Sequence, residues 1–195
     1  MTTTRRQPHA KSRPQHHTSV WAWVGFLSVP AILVALVVVS SLTEVGGTAP
    51  TQAVPFVLEG TDGRTVSLDQ SLADGDALLY FSMGVGCDGC FAQIPELEAA
   101  VAERGLTLVP IMVDPPDAVA HEAARFGIDR PILIDQGARV ASAYGMVGIY
   151  GHSDRPSHSF ALVRQNGEVA WVRHYAEMFV AADALFAELD DEVGA

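Results

Sequence analysis

Between Arg13 and Glu44 the chain carries no charged residue, and Val20 to Leu42 reads VWAWVGFLSVPAILVALVVVSSL. No other feature limits the fold so strongly. The run has no polar face with which to sit on a soluble core, and about 20 apolar residues span the hydrocarbon of a bilayer as a helix. Trp21 and Trp23 stand at its start, where aromatic rings favour the membrane interface. Pro30 lies inside it, which membrane helices tolerate. The expectation is one transmembrane helix over 20–42. A cleaved signal peptide is the competing reading. Against it, the run exceeds the roughly 7–15 residues of a signal core, and no cysteine follows for lipid attachment. TAPTQA (48–53) still offers small residues to a peptidase.

Charge gives the direction. Arg5, Arg6, Lys11 and Arg13 precede the run and no acidic residue does. The positive-inside rule then keeps the N-terminus in the cytoplasm and sends the rest of the chain outside. The expected protein is a single-pass protein of the cell membrane: a disordered cytoplasmic tail (1–19), the helix (20–42), a flexible linker (43–54) and an extracytoplasmic domain (55–195). Four of the 12 basic residues lie before the run and all 23 acidic residues after it. The remainder therefore holds eight basic against 23 acidic residues, a net charge of −15. Such a domain has no basic patch for nucleic acid or for an anionic lipid surface. The bilayer is expected as a partner only through 20–42.

From Pro55 short apolar runs alternate with helical ones. FVL and TVSL flank EGTDGR, whose Asp-Gly signals a hairpin. ALLYFSM (77–83) has the length and composition of a buried strand, and CFAQIPELEAAVAERG (90–105) has helical spacing and a terminal glycine. LTLVPIMVD (106–114) reads as a second buried strand and PDAVAHEAARFG (116–127) as a helix. RPILID (130–135) reads as a short strand and GARVASAYG (137–145) as a short helix. A loop covers 145–158, SFALVRQNGEVAWVRHY (159–175) is a hairpin with Asn-Gly at its turn, and VAADALFAELDDEV closes as an amphipathic helix. This alternation implies an α/β domain with a central mixed sheet covered on both faces.

The chain has two cysteines, Cys87 and Cys90. A structural zinc site needs four ligands, usually as two spaced pairs. His121, His152, His158 and His174 show no such spacing, so a metal site, copper included, would need a distant histidine. A structural staple fails on magnitude, since closing a four-residue loop contributes only about 2 kcal/mol. A redox pair suits the surroundings. Cys87 follows a buried strand and a Gly-rich turn and precedes a helix, whose N-terminal N–H groups stabilise a thiolate. Cys90, one turn later, is placed to resolve a mixed disulfide. Outside the cytoplasm, disulfides persist.

Cys87-x-x-Cys90 followed by Pro95 and Leu97 gives C-x-x-C-x4-P-x-L, which resembles the active-site spacing of thioredoxins. PFVLEGTDGRTVSL before the first core strand, and the late HSFALVRQNGEVAWVRHY, are similar to the redoxin branch. That branch holds the alkyl hydroperoxide reductase/thiol-specific antioxidant (AhpC/TSA) proteins and the membrane-tethered TlpA-like thiol oxidoreductases. The resemblance covers roughly residues 54–190. It implies a thioredoxin-like fold and a thiol–disulfide oxidoreductase, with Cys87 attacking, Cys90 resolving and Pro95 bending the helix. No cofactor beyond the redox-active disulfide is implied. The implied partners are protein thiols and disulfides and a membrane or extracytoplasmic recycling partner.

Several residues depart from the pattern. Gly86 and Gly89 stand where thioredoxins usually have an aromatic residue and a proline, and Asp88 puts a negative charge beside the thiolate. Like charge raises a thiol pKa, so a reducing potential is expected. The proline expected to face the disulfide in the cis form is not at its usual spacing. Pro156 takes that place through a bulge, or Ser157 and His158 face the sulfurs instead. His158 falls in a loop, where a solvated side chain is expected; beside Cys87 it would tune the thiol. Peroxiredoxins carry P-x-x-x-T-x-x-C, but Tyr80 and Gly84 occupy those Pro and Thr positions, and Arg155 is the candidate for their arginine. Thiol peroxidase activity with an antioxidant role therefore remains an alternative, as does a non-catalytic redox-sensing or metal-binding domain.

Overall fold

The computed structural model describes residues 49–152 and 154–194. The expected cytoplasmic tail, the apolar run 20–42 and the first half of the expected linker lie outside the described residues. Among the described residues no helix is long and apolar enough to cross a membrane.

The described chain begins on the sheet. Thr51 and Ala53, placed by composition in the linker, hydrogen-bond to Val169 and Gly167, and Gln52 bridges Glu168. Strands β1 (Val57–Gly60) and β2 (Thr65–Ser67) then form the expected hairpin across the Asp-Gly turn. Ser67 ends β2 and caps helix α1 (Leu68–Ser71). Its hydroxyl accepts the Gln70 N–H, and the Gln70 side chain accepts the Ser67 N–H, which satisfies two donors a helix start leaves free.

Strand β3 (Ala77–Phe81) is fully buried along its length. Helix α2 (Asp88–Glu103), strand β4 (Thr107–Met112), helix α3 (Pro116–Arg125), strand β5 (Leu133–Ile134) and helix α4 (Arg139–Ala143) follow. The chain ends with strands β6 (His158–Val163) and β7 (Val169–Tyr175) and helix α5 (Ala182–Val193). The seven strands form one sheet in the order β2-β1-β5-β4-β3-β6-β7. β3, β4 and β5 run parallel, as crossover helices require, and the other pairings are antiparallel. This is the mixed sheet that the alternation of apolar runs predicts.

Because side chains alternate across a strand, β3 feeds two cores. Leu78 and Tyr80 join Ile94, Leu97 and Val101 of α2, Val119 of α3 and Leu185, Phe186 and Leu189 of α5. Ala77, Leu79 and Phe81 join Leu68 of α1, Ala141 of α4, Tyr144 and Met146. Helices α2, α3 and α5 therefore cover one face, and α1 and α4 the other. The register sets Tyr80 opposite Phe160 of β6, the two rings stacked at 4.8 Å between centroids.

Helix α2 buries Phe91, Gln93, Ile94, Leu97 and Val101. Leu97→Ala removes a fully buried side chain at the centre of this face and is expected to cost about 2–5 kcal/mol, read by denaturant unfolding. An Ala99→Ser change on the exposed side of the same helix should lie within about 0.5 kcal/mol of the parent.

Candidate active site

Cys87 and Cys90 form a disulfide, with Cα atoms 5.3 Å apart. The pair sits where the sequence places it, at the C-terminal end of a central strand and the start of a helix. Cys87 is the N-cap residue of α2, and the Cys90 N–H points at its Sγ from 3.2 Å. A thiolate at that sulfur would meet an N–H donor and the positive end of the helix dipole. The two cysteines are both buried and differ slightly in access: Cys87 is 5% exposed and Cys90 is 0% exposed.

The turn into Cys87 is held from outside. Gly84 and Gly86 have φ of 84° and 94°, a region that side chains with a Cβ rarely enter. Asp114, just past β4, accepts the Val85 N–H and an Arg155 N–H through the same Oδ2, each at 2.8 Å. The Arg155 guanidinium also donates to the Met83 carbonyl at 2.8 Å. The bond to Asp114 raises the Arg155 pKa, so the guanidinium stays charged. A Cβ on Gly84 would run into the Asp114 carboxylate. Arg155 thus reaches the site, as a brace on the turn before Cys87. Asp114 escaped the sequence reading; its one signal is an acidic residue at the C-terminal end of a buried strand, where open sheets build their sites.

Gly89 explains one departure from thioredoxin spacing. A Cβ there would lie 2.6 Å from the Met178 carbonyl oxygen, so Met178, in the segment 176–181, presses directly on the turn between the cysteines. Gln93, one helical turn on, fastens the same segment: its amide donates to the Val180 carbonyl at 2.9 Å and accepts the Val180 N–H at 2.7 Å. Asp88 points the other way. Its side chain is 75% exposed and 3.8 Å from the Arg125 guanidinium, so solvent and a counter-charge both weaken its effect on Cys87. Pro95 interrupts the N–H ladder inside α2, at an exposed position.

His158 corrects the expectation of a solvated loop histidine. It is the first residue of β6 and 0% exposed, because strand pairing with β3 and β7 carries it under α2. Its Nδ1 lies 3.1 Å from the Tyr80 hydroxyl, its Nε2 lies 3.1 Å from Gln93 Oε1, and the Tyr80 hydroxyl donates to the Cys90 carbonyl at 3.0 Å. Burial pushes the His158 pKa down to about 4 and that of Tyr80 well up. His158 therefore meets the cysteines through Tyr80 and the Cys90 carbonyl. Ser157 is buried, and its hydroxyl pairs with Ser159 at 2.9 Å, which pairs with His174 at 2.8 Å; this chain of bonds runs toward β7. Pro156 is buried and bridges Val147, and no cis peptide bond occurs among the described residues. Among the described residues, no three His, Cys, Asp or Glu side chains gather as a metal site.

Two outcomes follow from this geometry. Gly89→Ala should destabilise the oxidised protein by about 1–3 kcal/mol through overpacking against Met178, measured by denaturant unfolding. His158 has a folded-state pKa near 4 against 6.5 for the free side chain, so below pH 6.5 the unfolded chain binds the extra proton. The stability that its burial allows is intact above about pH 6.5 and drains away toward pH 4, by roughly 3 kcal/mol. In His158→Gln this part of the acid sensitivity should vanish from unfolding curves taken across that range.

A redoxin family model matches residues 44–178. The thiol-disulfide oxidoreductase ResA of Halalkalibacterium halodurans is 30% identical over 125 residues, 62% of this chain and 65% of that one. ResA of Geobacillus thermodenitrificans is 33% identical over 129 residues, 64% and 66% of the respective chains. The chain thus matches just under two thirds of the length of each of these relatives. The thiol peroxidase from Chromobacterium violaceum shares the fold with a TM-score of 0.61 at 20% identity, over 75% of this chain and 90% of that one. With a family model matched across the strand, the cysteine turn and the closing hairpin, the chain belongs to the redoxin family.

Proposed function

We propose that this protein is a membrane-anchored thiol–disulfide oxidoreductase whose redox domain works outside the cytoplasm. The observation that carries the reading is the asymmetric disulfide at a helix N-cap. Cys87 is the sulfur an incoming group reaches, and Cys90 is closed off behind it. The likeness to the ResA thiol-disulfide oxidoreductases supports the same chemistry. Anchoring rests on the uncharged run 20–42, and the outward orientation on the four basic residues before it.

In the reducing direction the Cys87 thiolate attacks a partner's disulfide, one partner sulfur leaves, and a mixed disulfide forms. Cys90 then loses its proton, attacks Cys87 Sγ and releases the partner as a dithiol, closing the Cys87–Cys90 bond. The electrons reside on sulfur throughout, so no bound cofactor is required. A reducing potential is supported by burial: opening the disulfide creates a thiolate in a nearly closed site, which costs desolvation energy. A separate membrane or extracytoplasmic redox protein returns the pair to the dithiol. Secreted proteins in the course of folding and apocytochromes are the candidate substrates.

Peroxidase chemistry is disfavoured by position 84. A threonine there would need a positive φ, which β-branched residues avoid, and its Cβ would collide with Asp114. Arg155 is already committed to Asp114 and the Met83 carbonyl. A Cys90→Ser chain expressed in cells should accumulate mixed disulfides with other proteins through Cys87, visible as thiol-sensitive bands absent from the Cys87→Ser, Cys90→Ser double variant. Equal banding in the two variants would contradict the exchange mechanism.

A further inference from the structure

The buried chain of contacts beneath the disulfide is one proton short. Val180 fixes the Gln93 amide, because its N–H meets Oε1 and its carbonyl meets the amide NH2. His158 Nε2 therefore faces an acceptor. At the other end, the Tyr80 hydroxyl lies between the Cys90 carbonyl, which can only accept, and His158 Nδ1. Three contacts link Cys90 O, Tyr80, His158 and Gln93 Oε1, yet Tyr80 and a neutral imidazole supply two protons between them. With the proton on Nε2, the Tyr80 hydroxyl has two acceptors and satisfies one. With it on Nδ1, the Nε2 and Oε1 lone pairs oppose each other. An imidazolium completes all three: Nε2–H to Gln93, Nδ1–H to Tyr80, and Tyr80 O–H to Cys90.

Burial opposes that extra charge, and in the disulfide state nothing nearby offsets it. Among the described residues the groups facing the ring are Tyr80 of β3, Gln93 of α2, Phe160 of β6 and Tyr175 of β7. None is a carboxylate in contact with it. The nearest acid in this network is Glu188 of α5, which accepts from the Tyr175 hydroxyl and pairs with Arg173. Reduction changes the balance by putting a thiolate on Cys87, whose Sγ lies 3.2 Å from the backbone nitrogen of Cys90, the residue whose carbonyl ends the chain of contacts. A nearby negative charge favours the protonated imidazole.

We propose that His158 takes up one proton when the Cys87–Cys90 disulfide is reduced and gives it back on reoxidation. With a dithiol as reductant, the Cys87–Cys90 bond breaks and a disulfide forms in the reductant, so two electrons pass to the cysteine sulfurs. Of the dithiol's two protons, one ends on the Cys90 sulfur and the other on His158, and Cys87 remains a thiolate. The imidazolium then offsets part of the desolvation cost of the Cys87 thiolate, and His158 is a positioning residue for the proton of the exchange reaction.

The inference rests on the exchange reading only in needing a reducible disulfide. The test is nitrogen NMR of the histidine rings in the full chain, 15N-labelled on histidine, at pH 7 before and after reduction with dithiothreitol. His158 is assigned by the signal missing from His158→Gln. The expected result is one protonated ring nitrogen when oxidised and two when reduced. Gln93→Leu, which removes the Nε2 acceptor, should lower the proton affinity of His158 in the reduced state roughly tenfold, the worth of a hydrogen bond to a charged group. A ring that stays neutral after reduction, or is doubly protonated already in the disulfide state, overturns the inference. If Cys90→Ser still traps partners in that case, the exchange reading stands without it. A disulfide that dithiothreitol leaves closed overturns both.

Discussion

The burial of β3 on both faces is the constraint on which the rest of the site depends. A strand in the middle of the sheet, parallel to β4 and antiparallel to β6, must send alternate side chains into opposite cores. That alternation puts Tyr80 under α2, with a hydroxyl that has no water to bond. A buried hydroxyl without a partner is costly, and the partners available are the Cys90 carbonyl and His158. The strand thereby fixes the height of α2 at the residue carrying the second sulfur. It also draws a titratable ring into a place where burial keeps it neutral in the disulfide state.

The cysteine turn is shaped by what crowds it. Asp114 and Arg155 hold the backbone of 83–85, and Met178 closes the space above Gly89. Glycine at 84 and 89 is the condition for these approaches rather than a sign of looseness, so the turn that composition alone makes appear slack is tightly enclosed. The enclosure leaves Cys87 a sliver of exposed surface and Cys90 none. In the exchange mechanism proposed above, this directs attack to Cys87 and reserves Cys90 for release. The exposed, Arg125-paired Asp88 contributes less to the thiol than its place in the motif suggests.

The sequence carried the α/β order of elements because each depends on local pattern: apolar runs of strand length, helical spacing from Phe91 to Val101, Asp-Gly and Asn-Gly turns. Cys87 and Cys90 were legible for the same reason, as a short motif at a strand-to-helix junction. What supports them was not. Tyr80 and His158 are 78 residues apart, Gln93 and His158 are 65 apart, and Asp114 is 29 residues from the Val85 it holds. Such contacts are set by sheet order, which hydrophobic period does not encode. His158 reads as a loop residue because it stands between Ser157 and Ser159, where the apolar run of the strand has not yet begun. Met178 lies in an irregular segment with no period at all, so its pressure on Gly89 left only an unexplained glycine in the sequence.

In the function proposed above, the reduced Cys87–Cys90 pair acts as a dithiol that reduces protein disulfides, not as a peroxide-reducing centre. The deciding experiment equilibrates the full chain in dithiothreitol redox buffers, reads the fraction of Cys87–Cys90 disulfide, and follows hydrogen peroxide consumption on the same sample. The expected result is a two-electron couple well below about −200 mV with negligible peroxide turnover. A potential near −120 mV, the range of a strong oxidant, would contradict the reducing role. Rapid peroxide consumption that disappears in Cys87→Ser would contradict the exchange mechanism itself.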